Sequence, residues 1–522
     1  MESRGHSPMR RALIAGAVLA AVAAPTVLLA QAAAPAPPKI EDVAKAVADN
    51  GAALNMVWTL VAGFLVMFMQ LGFAMVETGF TRAKNAGHTV TMNFMVYAIG
   101  MLAYWVVGFA IHMGGVGALG TLGGYDGLNS MFTITVGGHE WGLFGMKGFF
   151  LTGVAYNASV FAFFLFQMVF MDTTLTIPTG ALAERWKFSS FCIFTVFLGA
   201  IIYPVFGNWA WGGGWLSALG RNVGLGNGYV DFAGSGVVHL TGGVIALVTC
   251  KLLGPRRGKF NADGSPNVIP GHNIPMAIYG TFVLAFGWFG FNAGSTLAGT
   301  DVRIGVVATN TMLAGAAGAI SAMAWVWMKY GKPDPSMLAN GMLAGLVAIT
   351  APCAFVTAPS AVAIGLISGL LVCWAVVFFE RTLKLDDPVG AISVHGVNGA
   401  WGLIAVGIFA DGTYGGGLNG VAGNVTGLLY GGTTQLVAQV VGIFANFVWV
   451  GASAYAAWKI TSAVTSGSRV SAAVEELGLD IPEMGALAYP DRGGMTTGVV
   501  LAHAEAPSLS STARDFAPVA GD

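Results

Sequence analysis

Charge is what this sequence lacks most: only 9% of its 522 residues are Asp, Glu, Lys or Arg, against roughly 25% in a soluble globular domain. That scarcity excludes a soluble enzyme. The 24 basic residues are offset by 25 acidic ones, so there is no positive field to hold nucleic acid. Cysteine is scarce as well, and Cys192, Cys250, Cys353 and Cys373 all fall inside apolar runs. They read as buried small hydrophobes rather than disulfides or metal ligands. The sequence has no Gly-rich phosphate loop ending in Gly-Lys-Ser/Thr and no two histidines at helical metal-ligand spacing. ATP-driven pumping and metalloenzyme chemistry are therefore unsupported, and no cofactor or metal is expected. The string Gly115-Val116-Gly117-Ala118-Leu119-Gly120 fits a dinucleotide fingerprint, but it follows an apolar run in a Gly-rich loop with no strand before it, which removes the context that motif needs.

Apolar residues are abundant instead, at 55% of the chain with a mean hydropathy of +0.70. This is too hydrophobic for a disordered chain, and the runs are too long and too unbroken for the ten-residue alternation of a membrane barrel. Eleven apolar runs, at about 55–80, 88–112, 148–172, 188–210, 232–253, 273–296, 303–329, 336–355, 359–380, 389–410 and 431–459, predict an all-α polytopic membrane protein, each run crossing about 30 Å at 1.5 Å per residue. One set of alternate loops holds Arg82, Lys84, Arg185, Lys187, Lys251, Arg256, Arg257, Lys259, Lys329, Lys332, Arg381 and Lys384; the other holds only Lys147, Arg221 and Arg303. The excess of basic residues in the first set predicts that it is cytoplasmic, with the N-terminus outside and the C-terminus inside.

Residues 1–32 carry Arg4, Arg10 and Arg11, the apolar stretch Leu13–Leu29, then Ala30-Gln31-Ala32. This has the form of a cleavable signal peptide, with an uncleaved extra helix as the alternative. Residues 33–54 read as a Pro/Ala-rich periplasmic linker, 55–460 as the membrane domain, and 461–522 as a polar cytoplasmic tail. The predicted location is a bacterial cytoplasmic (inner) membrane.

Two histidines stand well inside apolar runs, His239 in the fifth and His395 in the tenth. Asp231 and Asp387 each precede one of them by eight residues, and both histidines sit in a Val-His-x-x-x-Gly frame. Five spans separate the two segments, so they run in opposite directions, as in a five-plus-five inverted repeat with one further helix. At 1.5 Å per residue each histidine is about 12 Å from its aspartate, so both arrive near the midplane and are within reach of each other. Polar residues at that depth line pathways or relay protons. The two aspartates read equally as helix N-caps; Asp231, beside Phe232, also reads as a field favouring a cation at an external vestibule.

These residues stand in longer motifs: Asp231-Phe232-Ala233-Gly234-Ser235-Gly236-Val237-Val238-His239, Gly287-Trp288-Phe289-Gly290-Phe291-Asn292-Ala293-Gly294-Ser295, Asp386-Asp387-Pro388 followed by Val394-His395-Gly396-Val397-Asn398-Gly399, and Gly180-Ala181-Leu182-Ala183-Glu184-Arg185. Together they resemble the Amt/Mep/Rh ammonium transporter family over nearly the whole mature chain. The resemblance implies a transporter rather than an enzyme: a homotrimer with one pore per subunit, an external recruitment site, a stacked phenylalanine gate and twin histidines in an apolar channel. It places the recruitment site at Trp211, Phe170 and Ser295, where an indole and a phenyl ring supply cation–π attraction and a hydroxyl oxygen accepts an N–H. It places the gate at Phe170 and Phe232, and further lining at Phe166, Gln167, Trp288, Phe291 and Thr350. Ammonium, with methylammonium as its analogue, would bind there, lose its proton with help from Asp231 and cross as ammonia, with or without a proton passed along His239 and His395. Apart from membrane lipid, the implied partner is the PII signal protein, on a tail segment containing Arg469, Leu477-Gly478-Leu479-Asp480 and Gly485. Two other readings stay open, an ammonium sensor signalling through that tail and a Rhesus-type neutral gas channel. The sequence departs from the family at Asp172, an intramembrane acid; at Gly236, where some relatives carry threonine; and at Pro482, where eukaryotic relatives carry a regulatory threonine.

Overall fold

The computed structural model describes residues 39–414, 421 and 423–490; the stretch read as a signal peptide, the start of the predicted linker and the tail beyond 490 lie outside the described residues. The chain divides into two units, 1–51 and 52–522. In the first, the chain is helical from Ile40 and exposed up to Asn50, so the predicted linker ends in helix rather than in extended chain.

Among the described residues, ten helices are long and apolar enough to cross a membrane: α1 Ile40–Phe80, α2 Ala83–Met113, α3 Ala158–Leu182, α4 Phe188–Ala210, α5 Ser235–Leu253, α6 Ile274–Thr296, α7 Ile304–Tyr330, α9 Ala358–Arg381, α10 Ile392–Phe409 and α11 Thr434–Val464. The eighth apolar run forms a shorter helix, α8 Pro335–Ile349. Its 15 residues rise only about 22 Å, because the chain leaves the helix at Thr350 and turns through Pro352. The predicted eleven spans thus become ten long helices and one short one.

The third helix is displaced by ten residues from the predicted 148–172. Gly148 and Gly153 take positive φ, and Asn157 caps the helix by accepting from the Ser159 amide. The helix continues past the predicted end through the hydroxyl-rich stretch after Asp172, where the hydroxyls of Thr173 and Thr174 are satisfied by the carbonyls of Val169 and Phe170. The all-α expectation also needs correcting between α2 and α3. Two hairpins form there, β1 Gly117–Leu119 with β2 Tyr125–Leu128 and β3 Met131–Val136 with β4 His139–Gly145. The second turns through Gly137-Gly138, both at positive φ, the two-residue loop that matches strand twist.

The polar face that gathers the α1–α2, α3–α4, α5–α6 and α9–α10 loops is covered by the segment after α11. Lys187 N–H donates to the Ser468 carbonyl and Arg469 to the carbonyls of Leu253 and Pro255. Asp480 accepts from the His88 amide, and the Leu479 amide donates to Asn85. The predicted polar tail is, up to residue 490, a strap on these loops.

Candidate functional site

Helices α5 and α10 begin alike. Asp231 accepts from the amides of Gly234, Gly236 and Val237, and Asp387 from those of Gly390 and Ile392. Each carboxylate thus binds the amides three and five positions on, and satisfies the free donors of a helix start. Gly234 and Gly390, each three residues past its aspartate, have φ of +114° and +79°, a conformation that side chains other than glycine strain to adopt. The glycine four residues past each histidine marks the crossing of the two helices: a Cβ on Gly243 would stand 2.3 Å from Gly396 Cα, and one on Gly399 2.5 Å from the Ser235 carbonyl. Close approach there brings the two first turns together, and His239 Nδ1 lies 3.1 Å from His395 Nδ1. One ring donates and the other accepts, so the pair holds one shared proton when both are neutral.

The pair belongs to a continuous column of rings. Phe166 lies 4.6 Å from Phe170 between centroids, Phe170 4.2 Å from Phe291, Phe291 5.4 Å from His239, His239 5.2 Å from His395, and His395 6.1 Å from Phe73. The indole of Trp288 stacks on His239 at 5.3 Å and is fixed by donating to the Thr350 hydroxyl at 2.9 Å. Trp288 and Thr350, read from sequence as lining, therefore brace the first imidazole.

A small cavity lies at each end of the column. The first, about 10 Å³, is lined by Phe166, Gln167, Phe170, Trp211, Phe232, Ser295 and Leu297, and has the room one water-sized molecule needs. Phe170 meets the Trp211 ring edge to face at 6.0 Å, and the indole N–H is held by the Asp231 carbonyl at 2.7 Å. Ser295 donates its hydrogen to the Phe291 carbonyl, which leaves its oxygen lone pairs as acceptors. Gln167 Oε1 is buried without a hydrogen-bond partner. The second cavity, about 20 Å³, has His395, Phe73, Glu77 and Asn340 among its lining residues.

Two of the expected site residues have settings that their motifs do not record. Phe170 stacks on Phe291, at 22° between ring planes; Phe232, read as the second gate residue, lines the same cavity, and its ring stands perpendicular to that of Phe355. Asp231, read as facing an external vestibule, is buried with 4% of its surface exposed and is not among the residues lining the first cavity. Burial pushes its carboxyl up to about 6 against the opposing pull of the amides it caps.

The departures also find places. Asp172 lies buried in α3 with Oδ1 unpartnered. Gly236 makes room for Tyr229, whose hydroxyl is 1.9 Å from where a Cβ would be. Gly236→Thr should therefore destabilise the protein by about 1–3 kcal/mol through overpacking, and Tyr229→Phe should recover part of that loss in a thermal-unfolding double-mutant cycle; equal losses in both backgrounds would show that the hydroxyl is not the obstacle. Sequence reasoning missed His112, whose ring stacks at 24° on Trp211 and bonds the Tyr104 hydroxyl, and it missed Glu77. Both are polar residues inside apolar runs, the signal that singled out the twin histidines.

The model of the Ammonium Transporter Family matches residues 57–489. The chain is 48% identical over 442 residues to ammonium transporter Amt2 of Archaeoglobus fulgidus, covering 84% of this chain and 88% of that protein. It is 38% identical over 450 residues to ammonium transporter Amt1 of Haloferax mediterranei, covering 84% and 80%. A solved structure titled Sensor Amt Protein matches with TM-score 0.72 at 39% identity, over 84% of this chain and 99% of that one, and Candida albicans Mep2 matches with TM-score 0.66 at 26% identity, over 81% and 87%. The matched stretch contains every ring of the column and both cavities, and on that footing the chain belongs to the ammonium transporter family.

Proposed function

We propose that this protein recruits ammonium at the first cavity, takes its proton there and passes ammonia along the ring column to the second cavity. The observation that carries this reading is the column itself, which joins two water-sized cavities through a hydrogen-bonded imidazole pair. A bare ammonium ion in an apolar passage faces a desolvation cost of many kcal/mol, so neutralisation must precede passage. In the first cavity the faces of Trp211 and Phe170 attract the cation and the oxygens of Ser295 and Gln167 accept its N–H bonds. Phe170 and Phe291 must part to admit ammonia, with Phe232 on the rim. The proton travels separately: His239 Nε2 takes it from ammonium, the shared hydrogen passes from His239 Nδ1 to His395 Nδ1, and His395 Nε2 gives up a hydrogen on the far side, so that one charge crosses while the nitrogen moves as neutral ammonia. Asp231 acts from behind, pinning Trp211 through its carbonyl and α5 through its carboxylate. The recruitment face is external, the strap face is cytoplasmic, and three copies assemble, each with its own pore.

Trp211→Leu should raise the half-saturating ammonium concentration about 2- to 30-fold, the range that a lost cation–π contact of 0.5–2 kcal/mol gives, with little change in maximal flux. Methylammonium uptake into proteoliposomes measures both, and unchanged saturation would remove Trp211 from recruitment. A second reading, ammonium sensing, is favoured by the likeness to a structure titled Sensor Amt Protein and by the strap on the loops. Purified protein that passes neither ammonium nor methylammonium, while the strap's protease sensitivity changes with ammonium, would select it.

A further inference from the structure

The second cavity contains a carboxylate for which the transport pathway as described has no use. Glu77, on α1, is 3% exposed and lines the same water-sized space as His395 and Asn340. A buried carboxyl in an apolar span is costly and is kept where it serves a pathway. This one is held in place by a polar ladder across three helices. Asn93 of α2 donates to Oε2 at 2.7 Å, and Thr179 of α3 lies 3.0 and 2.8 Å from the two oxygens. Asn93 is itself fixed by Gln70 and Thr176. Such bracing orients the carboxyl group, and the ring column ends beside it.

Resting on the transport reading above, we propose that the cavity shared by Glu77 and His395 is a second ammonium site, at which the Glu77 carboxyl returns a proton to ammonia leaving the column. The step balances: the carboxyl O–H breaks, an N–H bond forms on ammonia, ammonium departs, and the carboxylate is recharged by the proton that moved through His239 and His395. His395 in the same cavity and Asp387 at the start of α10 are the ionisable groups that bear on Glu77 from the elements packed around it. Asn340, whose amide donates to the Val389 carbonyl, leaves its own side-chain oxygen as an acceptor for the ion.

Glu77→Gln tests this without a change of shape. Its oxygen can still accept from Asn93, and its amide can donate to Thr179, whose hydroxyl hydrogen is free to serve the Thr176 carbonyl. In proteoliposomes on a solid support, E77Q should lose at least tenfold in ammonium-driven current, and E77D, which keeps the carboxyl, should lose less than threefold. Infrared difference spectra of wild type on exchange into ammonium should show a carboxyl band that is absent from E77Q and shifted in E77D. E77Q currents within twofold of wild type, or a wild-type spectrum unchanged in E77Q, overturn the second site and leave the transport reading standing. A wild-type protein without current or uptake ends both. Where E77Q does not reach the membrane, E77D decides alone: a carboxyl band that stays in place with the shortened side chain overturns the assignment.

Discussion

His239→Ala and His395→Ala should each lower the transient current after an ammonium pulse by more than tenfold, while ammonia-driven alkalinisation inside the vesicles persists. The two Nδ1 atoms are 3.1 Å apart, a distance at which one hydrogen serves both rings. Alanine at either position leaves the other imidazole facing a void as wide as a ring. Water would have to fill that void for a proton to cross, yet Phe291 and Trp288 flank it, and an apolar cavity of that kind stays dry. Leaving the surviving buried nitrogen unpaired also costs about 1–3 kcal/mol, a second contribution in the same direction. Neutral ammonia needs no such chain of hydrogen bonds and gains room, so its passage should survive. Solid-supported membrane currents and an internal pH dye, read on the same preparations, separate the two. Undiminished current in both single variants would sink the relay.

The twin histidines were legible because a repeat constrains sequence twice. The eight-residue interval from Asp231 to His239 and from Asp387 to His395 encodes a cap followed by one turn of helix, and the glycine four residues on encodes the crossing of α5 and α10. A pattern that repeats for a geometric reason can be read without the geometry. The ring that stacks on Phe170 was not legible in this way. That Phe291 lies over it depends on where α6 lies relative to α3, and no local interval records that. The start of α3 was misplaced for a different reason: apolarity continues across 148–157, while the break is set by backbone conformation at Gly148 and Gly153 and by the Asn157 cap. Asp231 shows how two correct chemical readings of one residue compete, since an aspartate able to favour a cation is equally able to bind the amides of its own helix. The amides are closer, and they win. The second hairpin did carry a local signal, the β-branched run Thr133–Val136 before Gly137-Gly138 and the aromatics Trp141 and Phe144 after it, hidden only by the expectation of helices throughout.

The motifs Gly180–Arg185 and Asp386–Asp387 meet away from the ring column, and there the largest stability effect is expected. Arg256 donates to both Asp386 oxygens at 2.9 Å and to Glu184 at 2.8 Å, and all three side chains are at most 3% exposed. Glu184 also accepts from Arg82 and Asn85, which holds it at a φ of +72°. Arg185 spans the same cluster, donating to the carbonyls of Asp386, Gly254, Ala181 and Ala183. Removing one partner from such a set strands charges where water does not reach them, so Arg256→Ala should cost about 3–5 kcal/mol. In detergent this should lower the midpoint of thermal inactivation by about 3–5 °C, with little relief from added salt because screening is weak for buried pairs. The pH dependence follows from Asp386. Burial would raise its carboxyl, but Arg185 and Arg256 outweigh burial and hold it well below the usual range. A depressed carboxyl stabilises the fold fully above its unfolded value of about 3.9 and loses that contribution as pH falls towards the folded value. Wild type should therefore exceed Asp386→Asn by the same margin from pH 8 down to about 5, and the margin should narrow only below about 4. The cluster lies under the strap, where Arg469 and Arg257 both engage Glu475, so Arg256→Ala should also expose the segment after α11 to protease. If midpoint and protease sensitivity both match wild type, the cluster is not what fixes these loops.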